Sequence, residues 1–237
     1  MSRYDSAITI FSPTGNLFQV EYAVKASEQG SSTIAVKGQD CIVLGVEKKD
    51  VSKLQDAKTL KKILRLDDNI FIAFSGLQAD ARILANIARV ECQSYRLNFD
   101  DAPTVDYIAR YIAGVQQKYT QRGGVRPFGI SVLVAGFDAK GQPRIFQTDP
   151  SGACTEWKAN AIGKNDKSAR ETLEKKYKNH MTDEQTVKLA GQALVEAAEK
   201  GSKNLEIIVL YKNKVRELTE KEIEDVIQAI TQEEGAK

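Results

Sequence analysis

Residues 4–23, YDSAITIFSPTGNLFQVEYA, decide how the rest of the chain is read. Ser12-Pro13-Thr14-Gly15 spells a tight turn, with proline setting φ at the second position and glycine closing the fourth. Asn16 then offers a helix cap, and Gln19, three residues on, offers the return half of a capping box. Leu17, Val20 and Val24 fall at helical spacing, Phe18 and Tyr22 widen that stripe, and Glu21 and Lys25 form a favourable i,i+4 pair. Gly30 is a plausible stop. The N-terminus is therefore expected to be an ordered arm, a turn and a short amphipathic helix that buries Phe18 and Tyr22.

Composition narrows the function classes. A net charge of +2 over 237 residues is too close to neutral for a nucleic-acid or membrane-surface footprint. No apolar run approaches the roughly 20 residues of a membrane span, and MSRYDSAITIF has neither the apolar region nor the cleavage site of a signal peptide. Cys41, Cys92 and Cys154 are odd in number and lack CxxC spacing, the usage of reduced thiols in the cytoplasm or nucleus. His180 is the single histidine, which argues against a zinc site and against a Ser-His-Asp triad unless His180 were its base. No metal and no cofactor are expected.

Beyond the leader, strand-like runs occupy Thr33 to Val36, Cys41 to Val46, Ile63 to Leu66 and Ile70 to Phe74, joined by turn residues such as Asp67-Asp68-Asn69. Val51 to Lys61 is polar and basic. Two helices follow. The first enters from Gly76 with Ile83, Leu84, Ile87, Ala88 and Val90 as its apolar face; the second is capped by Thr104 and carries Val105, Ile108, Ile112, Val115 and Tyr119. Strands return at Ile130 to Phe137, Arg144 to Thr148, Cys154 to Trp157 and Ala159 to Ile162. Helices are expected over Ser168 to Tyr177 and over Asp183 to Glu199, the latter boxed by Thr182 and Gln185 and stopped by Gly201. Leu205 to Tyr211 reads as a strand, and a last helix begins at Thr219 with Glu222 closing its box. Short turns between neighbouring strands mean antiparallel sheets. Two sheets face to face, with helix pairs on both outer sides, would bury every apolar stripe. The fold class is thus α+β, a four-layer α-β-β-α sandwich over residues 31–231, preceded by a leader (1–30) and followed by a tail (232–237), all one domain.

The wording of the leader is more specific than its physics. Phe11-Ser12-Pro13-x-Gly15 followed by Gln19-Val20-Glu21-Tyr22-Ala23 resembles the signature that opens the α-type subunits of the 20S proteasome. VEKKDVSKLQD from Val46, SGLQADAR from Ser75, RPFGIS from Arg126 and QTDPSG from Gln147 extend the likeness over nearly the whole chain, and it is strongest to eukaryotic members at the fourth ring position. The resemblance implies the same sandwich, which is the fold of the N-terminal nucleophile hydrolases.

Enzymes of that fold use the freed α-amine of an N-terminal nucleophile as general base. By the family's spacing Ser31 stands where the catalytic threonine of β-type subunits would be, Glu47 where its aspartate would be and Lys62 where its lysine would be. An internal Ser31 has no free amine, so no catalytic residue is assigned. The alternative reading is a self-processing peptidase of the same fold, which would have to lose its leader.

Without chemistry, the resemblance implies assembly, gating and docking. Partners would be other α subunits in a seven-membered ring, the β ring, the C-terminal tails of regulatory-particle ATPases and other activators, assembly chaperones, and unfolded protein substrates in transit to degradation. Tyr4, Asp5, Pro13 and Tyr22 match the positions that hold the family's open gate. Ser6 departs from the family, whose arginine there supplies a bidentate fork that serine lacks. Lys62 matches the lysine that pairs with an activator-tail carboxylate, Gly30 would line that pocket and Gly15 would offer backbone to the tail tyrosine. Loss of Lys62 is expected to weaken docking without unfolding the ring. The end from Glu220 to Lys237 carries six acidic residues against two lysines, a solvated helix and tail.

Overall fold

The short turns at 38–40, 68–69, 138–142, 149–153 and 212–213 each close an antiparallel pair, whereas the one-residue link at Lys158 carries the chain from one sheet to the other. The computed structural model describes residues 8–48, 61–198 and 205–235. Helix α1 (Phe18–Glu28) leads into strands β1 (Thr33–Lys37) and β2 (Cys41–Glu47), which pair around Gly38, whose N–H donates to the Cys41 carbonyl at 2.9 Å. Strands β3 (Ile63–Asp67) and β4 (Ile70–Gly76) pair next, followed by helices α2 (Gln78–Phe99) and α3 (Val105–Gln121). The chain continues through β5 (Ile130–Phe137), β6 (Pro143–Thr148), β7 (Cys154–Trp157) and β8 (Ala159–Ile162). Helices α4 (Asp166–Lys176) and α5 (Asp183–Ala197), strands β9 (Leu205–Tyr211) and β10 (Lys214–Glu217), and helix α6 (Glu220–Gly235) complete it.

Two five-stranded sheets result, in orders β10-β9-β2-β1-β8 and β3-β4-β5-β6-β7. The near-continuous apolar strands are apolar because both of their faces are covered. In β2, Cys41 and Val43 point to the layer of α4, α5 and α6, while Ile42, Leu44 and Val46 meet the other sheet. In β5, Ile130, Val132 and Val134 face α2 and α3, while Leu133, Ala135 and Phe137 meet the first sheet. The expected four-layer α-β-β-α sandwich is the architecture observed.

Several local expectations need correction. Leu17, not Asn16, is the N-cap of α1, and no side chain caps it. Asn16 is instead held in the preceding turn, its N–H donating to Ser12 Oγ at 3.0 Å. The face that α2 buries is Ala81, Leu84, Ala85, Ala88 and Cys92, and Ile83 and Val90 are exposed. The buried face is made mostly of small side chains, with Leu84 as its one large aliphatic. Strand β10 was not expected, because Lys214, Val215, Arg216 and Glu217 are all exposed at a sheet edge. Helix α4 begins two residues early, at Asp166, and α6 runs on through residues read as tail. The capping boxes at Thr182/Gln185 and Thr219/Glu222 form as read. Val51 to residue 60, the stop at Gly201 and the last two residues lie outside the described residues.

Burial settles the thiols. It pushes Cys41 up to about 12, with the neighbouring Asp183 adding to the effect, and pushes Cys92 to about 12, with Asp67 adding. Since the thiolate is the reactive form, neither cysteine of the folded protein should be modified by a maleimide at neutral pH, and both should be modified in denaturant. Mass spectrometry of labelled peptides checks this; labelling of either before unfolding would contradict the burial.

Candidate functional site

The leader helix ends where both sheets begin. Ser27, buried in the last turn of α1, donates to the Val24 carbonyl at 2.7 Å and shares a 2.9 Å hydrogen bond with Ser131 Oγ at the start of β5. Its own carbonyl accepts from Ser75 Oγ near the end of β4, at 2.8 Å. Gly30 follows in a place no other residue fits: a Cβ there would lie 2.1 Å from the Gly76 nitrogen and 2.3 Å from Ser75 Oγ. Its carbonyl accepts from the Lys164 N–H at 2.8 Å, in the turn after β8. Main chain therefore meets main chain here, with only the short Ser75 side chain packed beside the contact.

Ser31, the next residue, is half-buried and faces Lys62. Lys62 Nζ donates to Ser31 Oγ at 2.6 Å and to the Ser31 carbonyl at 3.0 Å. The Glu47 carbonyl lies at 3.2 Å and Thr33 Oγ1 at 3.4 Å. Glu47 is buried, and its Oε2 accepts from the Ser32 N–H at 3.4 Å. Ser32 Oγ in turn donates to the carbonyls of Lys164 and Ala197, at 2.7 and 3.1 Å. Ser31 and Lys62 thus meet as the family spacing implied, while Glu47 reaches Lys62 through its carbonyl and gives its carboxylate to the Ser32 N–H. The chemistry they could perform lacks its base: the Ser31 nitrogen is the amide joining it to Gly30, and an amide accepts no proton. Lys62 divides its hydrogen bonds among four oxygens and so ties the start of β1, the end of β2 and the approach to β3 together.

The residues matched to gating and docking are distributed unevenly. Gly30 and Lys62 meet at Ser31. Gly15 sits on the leader turn, with φ +81° and its N–H donating to the Ser12 carbonyl at 2.9 Å, as the turn reading required. Pro13 is exposed beside it. Tyr22 was expected to be buried; in the single chain it is 44% exposed and stacks on Phe18, ring centroids 6.4 Å apart. Ile10 and Phe11, just before the turn, are also exposed. Tyr4 and Asp5 lie outside the described residues.

A second polar pair, between SGLQADAR and RPFGIS, has no counterpart among the sequence-derived sites. The buried Asp80 carboxylate takes two hydrogen bonds from Arg126, at 2.7 and 2.8 Å, and a third from the Gly129 N–H at 3.0 Å. A charged residue in the first turn of an otherwise apolar helix face, and an arginine before proline, were the available signals.

Comparison with known proteins agrees with this geometry. Residues 27–212 match the family model described as "Proteasome subunit", and residues 4–26 match the model of the A-type N-terminal signature of proteasome subunits. The chain is 56% identical to the alpha type-7 proteasome subunit of Cicer arietinum, over 100% of this chain and 95% of that one. It is 53% identical to the alpha type-7 protein of Dictyostelium discoideum, over 98% and 93%, and 53% identical to alpha type-7-B of Arabidopsis thaliana, over 100% and 95%. The two matched regions abut between residues 26 and 27, in the last turn of α1, so together they cover the leader helix, the site at Ser31 and the sandwich. This protein belongs to the proteasome subunit family, as a non-catalytic subunit of the α type.

Proposed function

We propose that this chain serves in the outer ring as part of the gate and as a docking site for activators. The observation that supports the reading is the packing of the leader: the end of α1 and Gly30 are fitted against β4, β5 and the turn after β8, so the helix is built into the sandwich as a working part. Exposed Ile10, Phe11, Pro13 and Tyr22 give that segment an apolar face for a neighbouring member of the ring. Tyr4 and Asp5 precede it in the chain, and a phenol and a carboxylate there suit hydrogen bonding between subunits around the entry pore. Lys62 and Gly30 form the floor on which an activator's C-terminal carboxylate would sit, with Gly15 offering backbone to the penultimate tyrosine. Partners on this reading are neighbouring α subunits, the β ring, ATPase tails and assembly chaperones. The setting is ubiquitin-dependent protein degradation in the cytoplasm and nucleus.

Reconstituted particles test the gate. Tyr4→Ala should leave basal peptide hydrolysis nearly unchanged and reduce activator-stimulated hydrolysis several-fold. Equal stimulation in wild type and variant would remove Tyr4 from the gate. Intact mass of the purified particle separates this reading from the self-processing alternative, which requires a mature chain starting at Ser31.

A further inference from the structure

The floor of the Ser31 site is a stack of main-chain contacts, and its lower end is held by the Asp80–Arg126 pair. From Asp80 the contacts run upward. The Gly129 N–H donates to Asp80 Oδ2 at 3.0 Å, and the Gly129 carbonyl accepts from the Leu77 N–H at 3.1 Å. Gly76, at φ +118°, is pressed so close that a Cβ on it would lie 2.1 Å from the Gly129 oxygen. Gly30 rests on Gly76 with the same closeness, 2.1 Å from a Gly30 Cβ to the Gly76 nitrogen. Gly163 closes the stack from the first sheet, where a Cβ would meet the Gly30 and Ser31 carbonyls at 2.8 and 2.9 Å. Gly129, Gly76 and Gly30 in series, with only the short Ser75 side chain packed among them, leave little side-chain slack to absorb a shift, since packed interiors transmit displacement rather than dissipate it. A movement at Gly129 is therefore passed to Gly30.

We propose that Asp80 and Arg126 are a positioning pair for the docking site: they fix the height of Gly129, and through Gly76 and Gly30 the placement of the α1 C-terminus and the Ser31 main chain against Lys62. This inference rests on the docking reading given above. The pair is built for holding. Arg126 reaches both carboxylate oxygens, a bidentate geometry that fixes orientation as well as distance. Burial alone would raise the Asp80 carboxyl, and the Arg126 and Gly129 hydrogen bonds overcome it and hold the group below its ordinary range. The other end of α2 supplies an internal control. There Arg96 makes a bidentate pair with the nearly buried Asp67, tying the same helix to the β3–β4 hairpin without touching the glycine stack.

The test uses assembled particles carrying Arg126→Ala, Arg126→Lys, Asp80→Asn or Arg96→Ala. Two readouts are taken: hydrogen exchange of the amides of residues 27–31, and affinity for a synthetic peptide ending in hydrophobic-tyrosine-any residue with a free carboxylate, against its amidated form. Arg126→Ala should speed exchange at 27–31 and weaken the free-carboxylate peptide roughly 5- to 10-fold, the scale of ordinary coupling between sites. Asp80→Asn, which keeps an acceptor for the Gly129 N–H, and Arg126→Lys, which keeps the charge, should give smaller changes in the same direction. Arg96→Ala should change neither readout. If Arg126→Ala matches Arg96→Ala or wild type in either readout, the positioning role is wrong. If the wild-type particle itself does not distinguish the free carboxylate from the amide, the docking reading fails instead.

Discussion

Gly76→Ala is expected to leave a chain that barely reaches its folded state. Two costs act together at this position. At φ +118° an L side chain is strained whatever the space, and the added Cβ would meet the Gly129 oxygen at 2.1 Å and the Ile130 Cα at 3.1 Å. Both obstacles are backbone, so no rotamer change relieves them. Backbone strain of about 1–3 kcal/mol plus overpacking of about 1–3 kcal/mol gives a loss on the order of 4 kcal/mol, a large part of the ~5–15 kcal/mol that stabilises an ordinary domain. Gly114→Ala is the matched control. Gly114 lies within α3, and a Cβ there meets nothing within 4 Å. Replacing a helical glycine removes an entropic penalty of roughly 0.5–1 kcal/mol, so that variant should melt a few degrees above wild type. Thermal unfolding followed by circular dichroism compares the two. A Gly76→Ala chain that melts within about 2 °C of wild type would mean that the β4 end has room the geometry denies it.

The difference between these two glycines was invisible in the sequence, and it marks the boundary of what could be read there. Period and capping were legible, because they depend on residues a few positions apart. The Val105, Ile108, Ile112 and Val115 stripe is buried as read, and both capping boxes close. Ring assembly was legible only through the resemblance, since Tyr22 and Phe11 look like core residues to any pattern and are exposed in the single chain. What failed depends on distances between elements. α2 is seated by Ala81, Leu84, Ala85, Ala88 and Cys92, and which face of a helix meets its sheet is a property of the pair rather than of the helix. The leader cap failed for a related reason. Ser12 satisfies the turn from within, with its hydroxyl bonded to Thr14 Oγ1 at 2.8 Å and to the Asn16 N–H, so Asn16 belongs to the turn. For Ser31, Glu47 and Lys62, family spacing implied a meeting that the fold produces, while the orientation of Lys62 required coordinates.

That orientation changes the expected outcome of removing the lysine. Lys62→Met keeps the aliphatic stem and deletes the ammonium, which takes a donor from Ser31 Oγ, from the carbonyls of Ser31 and Glu47, and from Thr33 Oγ1. Hydrogen bonds to a charged group are worth about 1.5–3 kcal/mol each. Because the four share one nitrogen and part of the site is open to solvent, a total loss of roughly 2–4 kcal/mol is the reasonable scale. The variant should therefore both melt lower and lose affinity for a tail carboxylate, whereas the resemblance implied only weaker docking without unfolding of the ring. Ser31→Ala separates the two effects. It removes only the 2.6 Å partner and leaves the Ser31 carbonyl and the charge in place, so its stability should fall by about 1 kcal/mol with docking retained. The measurements are thermal unfolding and tail-peptide titration on the same preparations. An unchanged melting temperature for Lys62→Met would show that the lysine does not brace the start of β1. A lowered melting temperature with unchanged peptide affinity would leave Lys62 as a structural strut and move the carboxylate to another cation. Loss of docking in Ser31→Ala equal to that in Lys62→Met would place the hydroxyl, and not the ammonium, in contact with the tail.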